Sequence, residues 1–260
     1  MRRSLSVTLA SSLAVVAWAP HVTAAPLGPT VPILRPNLVT LPVGDLSIDR
    51  EDGVRLLRFA NVIGNRGPGV LELFPVADDC DGDGDPQDDR SVHERLYVDT
   101  NGNGVFDRGV DEAAAEEPFV GCMFFHPEHD HWHVEDFARY VLTKPKDGRV
   151  VALSDKVSFC VRDSIARWHG MPGAPGAPYY RECTQDGTTG MSVGWADVYG
   201  ADLFGQSIEL TGVPDGRYCL TSTADPSDRI VERRDDDNRR SILIRIRGSS
   251  VRQIGTGCAS

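Results

Sequence analysis

The chain has 260 residues, 40% of them hydrophobic and 25% charged, which is enough apolar material for one large domain or two small ones. A formal net charge of −11 argues against a nucleic-acid binder, which needs a basic face, and is compatible with attraction of cationic molecules. Beyond the N-terminal segment, no stretch is long and apolar enough to span a bilayer.

Arg2 and Arg3 precede an apolar run from Leu5 to Ala19, which Pro20 and His21 close. Val22-Thr23-Ala24 then supplies small residues for cleavage, so residues 1–24 read as a signal peptide and the protein as secreted and extracellular. Residues 25–37 carry Pro26, Pro29, Pro32 and Pro36 and read as an extended lead-in. Residues 38–260 then form the main domain, and their texture is β-like. Val54–Ile63 ends at Gly64-Asn65-Arg66-Gly67, and Gly69–Leu73 follows. Further strands are predicted over Phe137–Thr143, Val150–Leu153, Val157–Val161, Ser207–Leu210, Gly216–Ser222 and Ser241–Arg247, with Pro214-Asp215-Gly216 as a turn. Residues 76–118, dense in Asp, Asn and Gly, and residues 170–181, rich in Gly, Pro and Ala, read as long loops. The expected fold is mainly β: a β-sandwich with long loops stabilised by disulfides and metal, and little helix.

Six cysteines in an exported chain favour disulfides, and none forms a C-x-x-C pair. Sequential pairing is preferred, Cys80–Cys122, Cys160–Cys183 and Cys219–Cys258, although sequence alone does not fix connectivity.

Four of the seven histidines fall in the run His126-Pro127-Glu128-His129-Asp130-His131-Trp132-His133. On an extended strand, alternate side chains share a face, so His129, His131 and His133 would converge. Three neutral imidazoles with open positions suit copper or zinc, with His126 as a further candidate. Glu128, Asp130, Glu135 and Asp136 are available as partners for the imidazole N–H groups. The helical His-Glu-x-x-His pattern of zinc proteases is missing, which disfavours a zinc hydrolase.

Asp99-Thr100-Asn101-Gly102-Asn103-Gly104-Val105-Phe106-Asp107 matches the start of an EF-hand-type calcium loop. Its ligands would be Asp99, Asn101, Asn103, the Val105 carbonyl and Asp107. The twelfth position is Val110, so Asp111 or Glu112 would supply the closing carboxylate. Asp79, Asp81, Asp83 and Asp85 form a second acidic run, read either as a second site or as a solvated loop around Cys80.

At the histidine run the chain resembles the catalytic domain of lysyl oxidases, whose copper strand carries His-x-x-His-x-His-x-His followed by acidic residues and Phe; here Val134-Glu135-Asp136-Phe137 follows His133. Three other stretches match in order. They are Leu56-Leu57-Arg58-Phe59 leading to Asn65-Arg66-Gly67, Lys156-Val157-Ser158-Phe159-Cys160, and Asp197-Val198-Tyr199-Gly200-Ala201-Asp202. Phe124 and Phe125 stand where the family has tryptophans, and Pro127-Glu128 replaces a family cysteine. The resemblance implies copper on His129, His131 and His133, and a lysine tyrosylquinone cofactor made from Lys156 and Tyr199. It implies oxidative deamination of a primary amine, peptidyl lysine above all, by dioxygen, with Asp197 or Asp202 as base. From the residues alone, Lys156 reads as a solvated strand-end lysine and Tyr199 as a tyrosine at a Tyr-Gly turn. The competing expectation is a non-catalytic copper- or calcium-binding β-sandwich module.

Overall fold

The computed structural model describes residues 31–85, 88–126, 130–154, 157–183 and 187–258. The signal peptide assigned to residues 1–24 and the start of the proline-rich lead-in lie outside the described residues. Strands succeed one another as β1 (Ile33–Leu34), β2 (Leu38–Thr40), β3 (Gly44–Glu51), β4 (Val54–Asn65), β5 (Leu71–Val76) and β6 (Asp89–Glu94). Then come β7 (Tyr97–Val98), β8 (Glu112–Ala113), β9 (Phe119–His126), β10 (His131–Thr143), β11 (Val150–Leu153) and β12 (Val157–Phe159). The last six are β13 (Thr189–Met191), β14 (Ala196–Tyr199), β15 (Ser207–Glu209), β16 (Gly216–Ala224), β17 (Arg239–Arg247) and β18 (Ser250–Gly255). Among the described residues there is no helix, so none of these residues lies in a helix that could cross a membrane.

The large sheet runs β13-β5-β6-β9-β10-β16-β17-β18, with β11 and β12 also paired to β10. A five-stranded sheet is built around β4, which pairs with β14 and β15 and also with β2 and β3. The period-two pattern explains both. On β17, Ile242, Ile244 and Ile246 are buried while Arg239, Arg240 and Arg247 are exposed. On β4, Leu57, Phe59 and Ile63 are buried in the same core cluster as Tyr140, Leu142, Tyr218 and Leu220 of the large sheet. Phe59 meets Tyr140 edge to face at 4.7 Å, which locks the two layers together.

The long strand β10 positions the site. Up to Val134 it pairs with β9, and from Ala138 it pairs with β16. Between these points its register against β12 slips, and Asp136 takes a left-handed φ of 56°. Such a bulge bends the strand, and Asp tolerates the left-handed region better than most residues. The histidine-bearing end is thereby turned away from the sheet's main run.

Two expectations require correction. The acidic stretch 76–118 is not one loop, because it contains β6, β7 and β8. Its strand β6 buries Asp89 and Glu94, polar residues that a search for apolar alternation passes over. The histidine run is not a single strand either: β9 ends at His126 and β10 begins at His131, so the two form a hairpin. The cysteines pair as Cys80–Cys122, Cys160–Cys183 and Cys219–Cys258, with Cα separations of 5.9, 5.8 and 5.9 Å.

Candidate active site and metal centre

The hairpin forms because alternation sorts its residues. Trp132 and Val134 go into the core, with the Arg90 guanidinium 4.2 Å above the Trp132 ring, and His131 and His133 take the opposite face. Across the ladder His126 sits opposite His131, and Phe124 opposite His133. The rings of His126 and His133 are 5.1 Å apart and those of His131 and His133 4.9 Å. The Nε2 atoms of His131 and His133 approach to 3.0 Å. Two imidazole nitrogens, each about 2.0–2.1 Å from one metal ion at roughly right angles, are separated by about 3 Å. The pair therefore fits a shared transition-metal ion. His129 lies outside the described residues; His126 stands beside the pair on the neighbouring strand.

Strand β12 links this histidine face to Tyr199. Ser158 points its Oγ to within 3.4 Å of His133 Nδ1. Its neighbour Phe159 faces the other way and stacks on the Tyr199 ring, centroids 3.7 Å apart and planes at 17°. The Tyr199 hydroxyl donates to the Cys160 carbonyl at 2.8 Å. Burial, reinforced by the Asp197 carboxyl, holds the Tyr199 phenol well above the usual tyrosine range, so it stays protonated at neutral pH. Lys156 lies outside the described residues; the strand that follows it begins at Val157.

The two candidate bases differ sharply. Asp197 is buried one turn of alternation from Tyr199, and accepts from Ser164 Oγ at 2.6 Å, Val198 N at 2.9 Å and Arg162 N at 3.3 Å. Burial pushes its carboxyl up to about 7, against these three contacts. Asp202 is exposed, in a turn from Gly200 to Gln206 that leaves the edge of β4 after Tyr199 and rejoins it at Ser207. Ser158, Ser164 and Arg162 were not singled out in the sequence as site residues. Only the closeness of Ser158 to Lys156 in the chain pointed at any of them.

The loop at 99–111 has the wiring of an oxygen-rich cage. Asp99 is buried and accepts from the amides of Asn103 and Gly104, Asn101 accepts from Asn103, and Asn103 from Val105. Asp111 closes the loop, accepting from Thr100 and Asp107, in place of the Val110 position. The amide groups of Asn101 and Asn103 both donate to Asp107, and turning either over presents its oxygen instead. The 79–89 stretch follows the same plan: Asp79 accepts from Gly82 and Gly84, and Asp89 closes the loop onto Cys80 and Asp81. Carboxylate oxygens of Asp79, Asp81 and Asp89 lie within 4.8 Å of one another. A buried Glu72, unremarked in the sequence, gathers Arg95, Tyr97 and Tyr180, and Arg108 ties the 99–111 loop to Tyr180.

An all-strand scaffold on which one short segment joins a histidine hairpin to a partly buried tyrosine defines a β protein with a donor set suited to a transition metal. Comparison with known families narrows this. The lysyl oxidase family profile matches residues 113–256, and the chain belongs to the lysyl oxidase family. Protein-lysine 6-oxidases of Gallus gallus and Homo sapiens are 31% identical to it over 137 residues, covering 52% of this chain and 30% of each relative. Human lysyl oxidase homolog 1 is 31% identical over 109 residues, covering 42% of this chain and 18% of the relative. The chain thus spans less than a third of the length of these relatives.

Proposed function

We propose that this protein is a copper-dependent amine oxidase that oxidatively deaminates primary amines, peptidyl lysine side chains above all. The carrying observation is the convergence of the His131–His133 pair and Tyr199 on the single segment Ser158–Cys160. Copper would be held by His131 and His133 together with His129, with His126 at its flank. Family membership and the 3.0 Å nitrogen separation support this reading. Lys156 and Tyr199 would cross-link into lysine tyrosylquinone, dioxygen being the oxidant of the Tyr199 ring; the finished group would supply the carbonyl and the electron sink for amine oxidation, with dioxygen reduced to hydrogen peroxide and the substrate nitrogen released as ammonia.

The surrounding residues have definite tasks. Stacking on Phe159 fixes the plane of the Tyr199 ring, and the Cys160 carbonyl fixes its hydroxyl. Lys156 must be neutral to add to that ring, and desolvation together with a neighbouring cation lowers an ammonium's pKa. Asp197, held near neutrality by burial, is matched to removing the substrate's α-proton at ordinary pH. The net charge of −11 favours encounter with cationic lysine.

Calcium would order the 99–111 loop through Asp99, Asn101, Asn103, Val105, Asp107 and Asp111, a segment too polar to fold by burial. Export to the extracellular space fits the residue pattern of positions 1–24 and a chain stapled by three disulfides.

The test combines intact mass, quinone staining and peroxide release from lysine peptides and small amines, using copper-loaded protein made in oxygen. A Lys156–Tyr199 cross-link with peroxide release is expected. Unlinked Lys156 and Tyr199 in such a preparation would rule the mechanism out. Bound copper without peroxide from any amine would leave a metal-binding module instead.

A further inference from the structure

The Cys160–Cys183 disulfide stands beside His131, one of the imidazole pair. A ring nitrogen of His131 and the two sulfurs lie within 4.8 Å of one another. Among the described residues, neither Cys80–Cys122 nor Cys219–Cys258 joins a histidine in such a group. Cys160 is buried, and its backbone is held independently of its sulfur, by the Tyr199 hydroxyl. Cys183 is half-buried, which leaves the bond open to a small thiol.

As a disulfide the sulfurs are poor ligands, but as thiolates they are soft donors. Two thiolates and one imidazole form a donor set suited to zinc, cobalt or cuprous copper. Around a tetrahedral ion, with metal–sulfur bonds of about 2.3 Å and metal–nitrogen bonds of about 2.0 Å, the two sulfurs sit about 3.8 Å apart and each sulfur about 3.5 Å from the nitrogen. Once the sulfur–sulfur bond is broken, the two sulfurs are free to move apart to this spacing, and the His131 nitrogen already lies within 4.8 Å of both.

We propose that this disulfide masks a thiolate–imidazole metal site. When a dithiol reduces it, the sulfur–sulfur bond breaks, two electrons and two protons pass to the cysteines, and the dithiol closes to its own disulfide. Cys160, Cys183 and His131 then bind a soft or borderline divalent ion, which displaces the two thiol protons. His131 is drawn out of the all-imidazole set, so the oxidised bond keeps that set intact for copper.

The experiment uses the full-length metal-free protein, reduced with a dithiol under argon, freed of the dithiol and titrated with cobalt(II) alone. A saturating thiolate-to-cobalt charge-transfer band is expected. Cobalt should also slow alkylation of Cys160 and Cys183, mapped by peptide mass, and leave the other four cysteines at their metal-free rates. His131→Ala should weaken cobalt binding by about tenfold or more in the reduced protein. Equal alkylation of Cys160 and Cys183 with and without cobalt overturns the proposal, as does an unchanged band in the Cys160→Ser/Cys183→Ser double variant. The alkylation map needs only the natural sequence, so it stands if a variant fails to fold. No amine is oxidised in these measurements, so failure here is distinct from failure of the oxidase reading.

Discussion

Asp197→Asn tests the environment built around Tyr199. The carboxyl is 2% exposed, and burial lifts it from an ordinary 3.8 to about 7. The unfolded chain ionises near the ordinary value, whereas the fold keeps the proton until about pH 7. Between these points the folded state binds more protons, so stability falls as pH rises. A shift of about three units corresponds to at most about 4 kcal/mol. Asparagine keeps the shape and the acceptor for Ser164 and Val198, and removes the ionisation. Glu94 and Glu232, each raised to about 8 chiefly by burial, push stability the same way in both proteins, so the difference between the proteins isolates Asp197. Urea unfolding of the metal-free protein at pH 4.5 and 7.5 reads it. The two proteins should be close in stability at the lower pH, and the variant should lead by about 2–4 kcal/mol at the higher. Parallel stability profiles would refute the buried-carboxyl argument. The same substitution should lower amine oxidation by about 10²–10⁴-fold if Asp197 is the base, and full activity would move that role to Asp202.

Replacing His133 by Ala should abolish stoichiometric copper, read by metal analysis of protein loaded and then dialysed; retention of a full equivalent would remove His133 from the site. Tyr199→Phe should leave copper bound but give no quinone stain and no cross-linked mass, and a stain surviving in this variant would exclude Tyr199. Calcium at about a hundred times its dissociation constant should stabilise the protein by about 2.7 kcal/mol, and Asp99→Ala should erase the accompanying rise in Tm. Phe59→Ala, which empties a fully buried position against Tyr140, should cost about 3–5 kcal/mol in urea unfolding.

Much of the β architecture was legible because apolar alternation is written plainly in Val54–Ile63, Gly216–Ser222 and Ser241–Arg247, which became β4, β16 and β17. Strand β6 was not, because two of its buried side chains are carboxylates held by distant partners: Asp89 by the amides of Cys80 and Asp81, Glu94 by Val231. The hairpin between His126 and His131 is not legible in the histidine spacing, because alternation at period two carries no mark of a turn. What breaks the strand is local: Asp130 adopts a left-handed φ of 55° directly before β10. Choosing between Asp197 and Asp202 was beyond the sequence, since both flank Tyr199 and only the fold shows which one is buried.

The segment Ser158–Cys160 shows why the site needs this fold. Three consecutive residues touch three different things: Ser158 reaches His133, Phe159 carries the Tyr199 ring, and Cys160 binds the Tyr199 hydroxyl through its carbonyl while its sulfur lies by His131. Only an extended strand sends successive side chains to opposite faces and so can serve a metal on one side and an aromatic ring on the other. Its pairing with β10 on both sides of the bulge, Phe159 to Val134 and Val157 to Ala138, fixes that strand relative to the histidines. A substitution that lets β12 slip by one residue would exchange the faces, turning Ser158 toward Tyr199 and Phe159 toward the imidazoles. Register at the Asp136 bulge therefore governs the histidine face and the tyrosine together.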